Sequence, residues 1–334
     1  MKLHRLRETG LNGFSYTLGL KRNLGEPWQI LIEPTNICNF KCVYCPQSVP
    51  EEHFQNGKGF LSREDFARIL AKISKPWKNK IVNLIRDGEP TLHPDIVEFV
   101  RIVSSHGHRP QFSTNMSRMT SELAAELIDA GIYLVKSDFS HDKEVYERLR
   151  VKAVWERTRA GILAFLEENA KRGYPVKFHL VEMGTFGRPE EEYPIHLAKL
   201  RDLLGSHADH VESYPTHFHN ALGEAKEDLS QAELFKKSSY NLCHHPWLDL
   251  VINFKGEAVG CCRDLRSEYV LGNILECEDV ERDIWNGPRM KELRDALLKK
   301  HPEQVEICNK CDIPYGSSYA GSGKMQKIVK FLFG

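Results

Sequence analysis

Nine cysteines are the residues of this chain best suited to chemistry. Three stand together, Cys38, Cys42 and Cys45, in a C-x3-C-x2-C spacing with no fourth cysteine near them. The other six run from Cys243 to Cys311. An odd count cannot pair fully into disulfides, and the charged start, Met1-Lys-Leu-His-Arg-Leu-Arg-Glu, has no apolar run behind it to serve as an export signal. Cytoplasmic thiols used for metal ligation or catalysis are therefore expected. Thiolates suit both zinc and iron–sulfur clusters. A structural zinc site takes four protein ligands. Three thiolates on a four-iron cluster leave one iron open to a small chelating molecule, which would make the first set a reactive site. A zinc knuckle or three buried cysteines are the plainer alternatives.

Such thiols need a scaffold. Trp28-Gln-Ile-Leu-Ile, Ile81-Val-Asn-Leu-Ile, Gln111-Phe-Ser-Thr, Ile132-Tyr-Leu-Val-Lys, residues 176–181 and His210-Val-Glu-Ser-Tyr read as strands. Residues 63–74 (with Ser62 as cap), 95–104, 120–130, 154–171 and 194–204 read as helices, two of them closed by Gly131 and Gly173. Six strands separated by helices imply parallel pairing and right-handed crossovers, with sites gathered at the C-terminal ends of the strands. Many of the polar residues fall there: Asp87-Gly88-Glu89-Pro90, Ser113-Thr114-Asn115, Ser137-Asp138, His179 and Glu182, and Tyr214-Pro-Thr-His217-Phe-His219-Asn220. After about residue 240 the rhythm changes to a β-hairpin turning at Lys255-Gly256 and a helix over 288–300, a separate small unit built around cysteines.

In this order the motifs resemble the radical S-adenosylmethionine (SAM) superfamily, over roughly residues 28–215 and again in the cysteine-rich end. The resemblance implies a partial (β/α)6 barrel with a small C-terminal auxiliary-cluster domain, a β-hairpin plus a helix. It implies that Cys38, Cys42 and Cys45 hold a [4Fe-4S] cluster whose free iron chelates SAM. Asp87, Gly88, Glu89 and Pro90 stand where the family has Gly-Gly-Glu-Pro, the turn that binds the SAM amino group; Asp87 replaces a glycine. Ser113 and Asn115 belong to the family's Ser-Thr-Asn-Gly end, with Met116 in place of glycine. Ser137 and Asp138 match the polar pair that contacts the ribose or the SAM carboxylate. Glu182 is a further candidate to face SAM or substrate. In the family the reduced cluster passes one electron to SAM, and the resulting 5′-deoxyadenosyl radical removes hydrogen from an unactivated C–H bond. A donor such as flavodoxin or ferredoxin would supply the electron.

The second set resembles the SPASM/twitch extension of the same superfamily: Cys243, the hairpin Gly256, Cys261 followed directly by Cys262, and Cys308-Asn-Lys-Cys311. It implies one auxiliary [4Fe-4S] cluster on Cys243, Cys261, Cys308 and Cys311, since the further cysteines of the two-cluster form are missing. A zinc ribbon on the same four thiolates is the alternative. Cys262 and Cys277 are left over. Both suit small buried positions, and Cys262, beside a ligand, is the candidate to return a hydrogen atom to a substrate radical. His217 and His219 alternate after the sixth strand and are candidates to bind a polar substrate or move its protons.

The expected organisation is an N-terminal extension (1–27), the core (28–240), the auxiliary domain (241–315) and a tail (316–334). Only 37 residues precede Cys38, too few for a peptide-recognition domain, so a small polar substrate is expected, of sugar, aminocyclitol or nucleoside type. Oxidation is the expected outcome. Epimerisation, peptide modification and a non-enzymatic zinc or iron–sulfur electron-transfer or binding protein are the alternatives. Lys+Arg and Asp+Glu are 46 each, which argues against a broad nucleic-acid surface, and no run approaches the ~20 apolar residues of a membrane span. The basic amphipathic end, Lys324-Met-Gln-Lys-Ile-Val-Lys-Phe, is expected to dock on its own domain.

Overall fold

Burial alternates along the longer strands, Leu134–Phe139 and Lys177–Glu182, while shorter strands such as Gln29–Ile32 and Asp249–Ile252 are covered on both faces, in a nine-stranded sheet accompanied by a two-stranded one. The computed structural model describes residues 2–49, 57–216, 218, 225–227 and 240–315, with side chains from residue 10 onward. His217, His219 and the basic tail lie outside the described residues. Helix α1 (Lys2–Thr17) comes first, then β1 (Gln29–Ile32), β2 (Lys41–Cys42), α2 (Arg63–Ile73) and β3 (Ile81–Asn83). Next are α3 (Ile96–Ser105), β4 (Arg109–Ser113), α4 (Ser121–Asp129), β5 (Leu134–Phe139), α5 (Lys143–Leu149), β6 (Arg150–Val151) and α6 (Trp155–Lys171). β7 (Lys177–Glu182), α7 (Tyr193–Leu204) and β8 (Val211–Pro215) complete the alternating part. The cysteine-rich end holds α8 (His245–Leu248), β9 (Asp249–Ile252), β10 (Glu257–Val259), β11 (Val270–Asn273), α9 (Pro288–Leu298) and α10 (Glu306–Asn309).

β1, β3, β4, β5, β7 and β8 pair in parallel in that order, the six strands of a partial (β/α)6 barrel. Ser62 and Thr120 cap α2 and α4, accepting from Asp65 N and Leu123 N. Gly131 and Gly173 close helices with φ of 91° and 73°, where a side chain would be strained. Alternate strand residues point to opposite faces. Ile30, Ile32, Val82, Phe112, Val135, Phe178 and Leu180 pack toward the helices. Leu31, Val251 and Val259 form a small apolar patch on the other, inner face.

Two features depart from the sequence expectation. β9 pairs in parallel with β1, Leu31 opposite Val251, so the hairpin β9–β10 continues the barrel sheet instead of standing apart. The free edge of β1 takes β9 as its second neighbour, and the apolar inner faces of the two strands match. The stretch before β1 is also tied to the cysteine-rich end. Arg294, fully buried, donates to the carbonyls of Pro246 (2.8 Å) and Lys21 (3.1 Å) and to Asn286 Oδ1 (3.0 Å). Its guanidinium lies 4.8 Å from the Trp285 ring centroid, a cation–π contact.

Candidate active site

The loop after β1 carries the first three thiols. Cys42 lies in β2, which pairs antiparallel with β6 and sets Cys42 opposite Arg150. Cys45 caps a short 3-10 turn at Pro46–Ser48, and Cys38 Sγ accepts from Phe40 N at 3.5 Å. All three thiols line a single cavity with Asp87, Gly88, Glu89, Ser113, Asn115, Ser137 and Asp138. Burial holds each thiol in its neutral form, raising Cys38 to about 11 and pushing Cys42 and Cys45 up as well. Such thiols become ligands when a bound metal group supplies the positive charge that favours the thiolate.

The turn after β3 is shaped by its contacts. A Cβ on Gly88 would lie 2.1 Å from the Thr35 carbonyl oxygen, so only glycine lets the turn meet the cysteine loop. Glu89 N donates to the Ile37 carbonyl at 2.9 Å. The Glu89 carboxylate takes four donors from the protein, three of them on one oxygen. Oε1 accepts from Thr91 N and from the hydroxyls of Thr91 and Thr114, and Oε2 accepts from Asn115 N. Glu89 thus braces the site, and Pro90 starts the 3-10 turn that follows, away from the cavity lining. Gln47 Nε2 bridges the carbonyls of Asn36 (2.7 Å) and Asp87 (3.1 Å). Burial, opposed by the Arg86 charge beside it, raises Asp87 well above the usual carboxylate range.

Two charged residues that the sequence reading passed over belong to this cavity. Arg150 donates to Tyr44 Oη (3.0 Å) and Asp138 Oδ2 (2.7 Å), while its Nη1 is buried without a hydrogen-bond partner. Arg86 borders the cavity beside Asp87, and both Arg86 Nε and Asp87 Oδ2 are buried with no hydrogen bond. No motif marks either arginine; the pairing of β2 with β6 brings Arg150 in. Glu182 lies elsewhere. Along β7 it shares the helix-facing side with Phe178 and Leu180, and it does not line the cavity. Its carboxylate accepts from Gly184 N (2.6 Å) and His141 N (3.2 Å), and burial raises its pKa to about 7.

Cys243, Cys261, Cys308 and Cys311 border a second, apolar cavity with His245 and Arg263. Burial raises Cys243 and Cys308, and raises Cys311 against the opposing charge of Arg263, while contact with Cys262 and then burial push Cys261 well above the usual thiol range. Arg263 Nη1 lies 4.0 Å from Cys311 Sγ and also donates to Asp312. Cys262 is not part of this cavity's lining; its thiol touches that of Cys261, and it packs against Leu31, Val251 and Val259 on the inner face. Among the described residues, no three Cys, His, Asp or Glu side chains converge to hold a single metal ion.

The chain matches the radical SAM superfamily over residues 32–199. It belongs to that superfamily. Residues 243–312 match SPASM, an iron–sulfur cluster-binding domain. A "Probable GTP 3′,8-cyclase" of Saccharolobus islandicus is 27% identical over 215 residues, 63% of this chain and 65% of that protein, so the match spans just under two thirds of the relative. Among solved structures, BtrN in complex with AdoMet and 2-DOIA superposes with a TM-score of 0.57 at 17% identity, over 86% of this chain and 93% of that one. Native anSMEcpe with bound AdoMet and Cp18Cys peptide gives 0.59 at 16%, over 91% and 96%. These two likenesses establish the fold. The chain carries a domain of the family that pairs SAM with an iron–sulfur cluster, followed by a SPASM domain at its cysteine-rich end. The first cavity fits these groups: it is lined by three thiols together with Arg150, whose Nη1 has no hydrogen-bond partner, and Asp87, whose Oδ2 has no hydrogen bond and only an ion pair to Arg86. No helix among the described residues is long and apolar enough to cross a membrane.

Proposed function

We propose that this radical SAM enzyme oxidises a small polar substrate at a C–H bond, using two clusters. Cys38, Cys42 and Cys45 hold the [4Fe-4S] cluster that meets SAM, in a core spanning 28–240. Cys243, Cys261, Cys308 and Cys311 hold one auxiliary [4Fe-4S] cluster, in a domain spanning 241–315. The observation that carries this reading is the sorting of the cysteines into two cavities, three thiols in one and four in the other. When bound, the first cluster and SAM supply one-electron cleavage of SAM and abstraction of a hydrogen atom. The protein's own residues place the reactants. Asp87 would offer an acceptor to the SAM ammonium, and Arg150 Nη1 a donor to the SAM carboxylate. Ser113, Asn115, Ser137 and Asp138 offer polar groups around the same cavity.

The inner face of the sheet supports a polar substrate. Lys136 on β5 pairs in register with His179 on β7, and His179 with Glu212 on β8. His179 Nε2 lies 2.9 Å from Glu212 Oε2, and Lys136 is two residues below Asp138, which lines the cavity. In the oxidation a base such as His217 or His219 takes the substrate's hydroxyl proton, and an auxiliary cluster held by Cys243, Cys261, Cys308 and Cys311 would supply the acceptor for the electron left after hydrogen-atom removal. The position of Cys262 favours a second reading, in which its thiol returns a hydrogen atom and inverts the carbon.

Anaerobically reconstituted protein under strong reductant is expected to form 5′-deoxyadenosine slowly without substrate, and Cys42→Ala to form none. A variant lacking Cys38, Cys42 and Cys45 that still makes it at the wild-type rate overturns the cluster assignment. Comparing cell metabolites with and without the enzyme by mass spectrometry then identifies the substrate; a modified peptide in place of a small metabolite would overturn the substrate class.

A further inference from the structure

Arg86 joins the SAM turn to the segment that carries Cys261 and Cys262. Its side chain is 2% exposed. Nη1 donates to Glu33 Oε2 (3.2 Å) and Ser267 Oγ (3.3 Å), and Nη2 donates to the Asp264 carbonyl. Nε lies 3.5 Å from Asp87 Oδ2. Asp264 N in turn donates to the Cys261 carbonyl at 3.1 Å, and the Asp264 carboxylate holds the turn by accepting from Glu268 N and Tyr269 N. One guanidinium therefore touches the residue that faces the SAM ammonium and, on its other side, the turn that begins at a thiol of the second cavity.

The charge count gives the arrangement a direction. Glu33 is fully buried and also accepts from Asp87 N (3.3 Å) and Phe254 N (3.2 Å). Arg86 pairs with Glu33, and Asp87, which burial holds toward its neutral form, needs a second cation before it can carry charge. Buried charge is stable only when it is paired. The SAM ammonium completes the balance, provided Arg86 holds Asp87 in place. Arg86 is itself held by a carbonyl and a hydroxyl of the 264–267 turn, whose position follows from where Cys261 is fixed.

We propose that Arg86 is a positioning residue that makes SAM affinity depend on the loading of the second cysteine cavity. This rests on the assignment of SAM to the first cavity and of a cluster to the second. The ligated second cavity fixes the 264–267 turn, the turn fixes Arg86, and Arg86 fixes Asp87 for the ammonium. Linkage requires the converse: bound SAM stabilises the loaded second cavity.

The test is a double-mutant cycle on the full reconstituted chain, reading the SAM dissociation constant and the change that SAM causes in the electron paramagnetic resonance spectrum of the first cluster. Arg86→Gln is expected to weaken SAM binding about tenfold, and Arg86→Lys, which keeps the charge but not the fork, to recover part of it. Cys308→Ser with Cys311→Ser is expected to weaken SAM binding about tenfold when Arg86 is present and to add little in Arg86→Gln. Should that pair fail to fold, Ser267→Ala removes one anchor without touching a thiol, and its effect is likewise expected to vanish in Arg86→Gln. Wild-type affinity in Arg86→Gln, or equal losses in both backgrounds, overturns the coupling. Wild-type protein that binds no SAM removes the cofactor assignment and the coupling together, whereas SAM binding that ignores Arg86 removes the coupling alone.

Discussion

Glu89 Oε2 accepts the backbone N–H of Asn115 at 2.7 Å, fastening the turn after β3 to the end of β4. The other oxygen takes three further donors, so this buried carboxylate has no spare acceptor for a ligand on that side. Glu89→Gln would set an amide NH2 against donors. It is expected to lower stability by about 1–3 kcal/mol and reduce the melting temperature of the cluster-free protein. An unchanged melting temperature would show that the brace is unimportant.

Gly88→Ala is expected to be worse for the site than for the fold. The added methyl meets the Thr35 carbonyl oxygen at 2.1 Å and the Ile37 carbonyl oxygen at 2.8 Å, both backbone atoms that cannot rotate aside. The turn and the cysteine loop must part. The variant should fold but retain less iron at the first set of thiols and bind SAM poorly. Full iron loading with wild-type SAM affinity refutes this.

Iron and sulfide analysis of reconstituted protein is expected to give about eight irons per chain, and about four after Cys308→Ala with Cys311→Ala. At SAM concentrations high enough to offset the weaker binding expected of it, the same variant should still form 5′-deoxyadenosine slowly without substrate. Zinc at the second cavity of the wild-type protein, or four irons in total, would falsify the two-cluster assignment.

Stability is expected to fall as pH rises toward neutrality, with Glu182 as one cause. Burial raises its pKa from 4.5 to about 7. Between those values the folded chain keeps a proton that the unfolded chain releases, so raising the pH favours unfolding. The loss across the window is on the order of 3 kcal/mol. Glu182→Gln cannot release the proton and should flatten this part of the profile. Identical slopes in the two proteins, measured by urea denaturation of the cluster-free forms, would exclude Glu182 as the source.

Turnover in deuterium oxide separates oxidation from epimerisation. Oxidation places no solvent deuterium on the product carbon, and Cys262→Ala should stay active. If Cys262 is the hydrogen donor, one deuterium appears at the inverted carbon and Cys262→Ala stops turnover. The expected result is the first.

The strands, their order and the residues at their ends were legible because each rests on a local signal: period-two burial, a helix cap, or a cysteine spacing. Residues 81–85 read as a strand, and the structure keeps only Ile81–Asn83. Cys243, Cys261, Cys308 and Cys311 line one cavity, and Cys262 does not. Arg86, Glu33 and Arg150 were not legible. A charge at a strand end looks the same whether it meets water or a buried partner, and their partners are far along the chain. Glu182 misled because nearness to a strand end says nothing about which face a side chain takes. The joining of β9 to β1 was hidden for the same reason, since no local pattern names a strand's neighbour.

That joining bears on how the protein is made. The partner that Gln29 meets across the strand pair, Asp249, lies 220 residues later. A ribosome delivers the N-terminal part first, and contacts between distant segments form late. Until β9 is synthesised, one edge of β1 has no strand beside it, and an open edge invites pairing with other chains. The loop bearing Cys38, Cys42 and Cys45 hangs from that unfinished strand. Cluster delivery to the first thiols should therefore follow completion of the chain, and slowed translation before residue 249 should increase aggregation more than slowed translation after it.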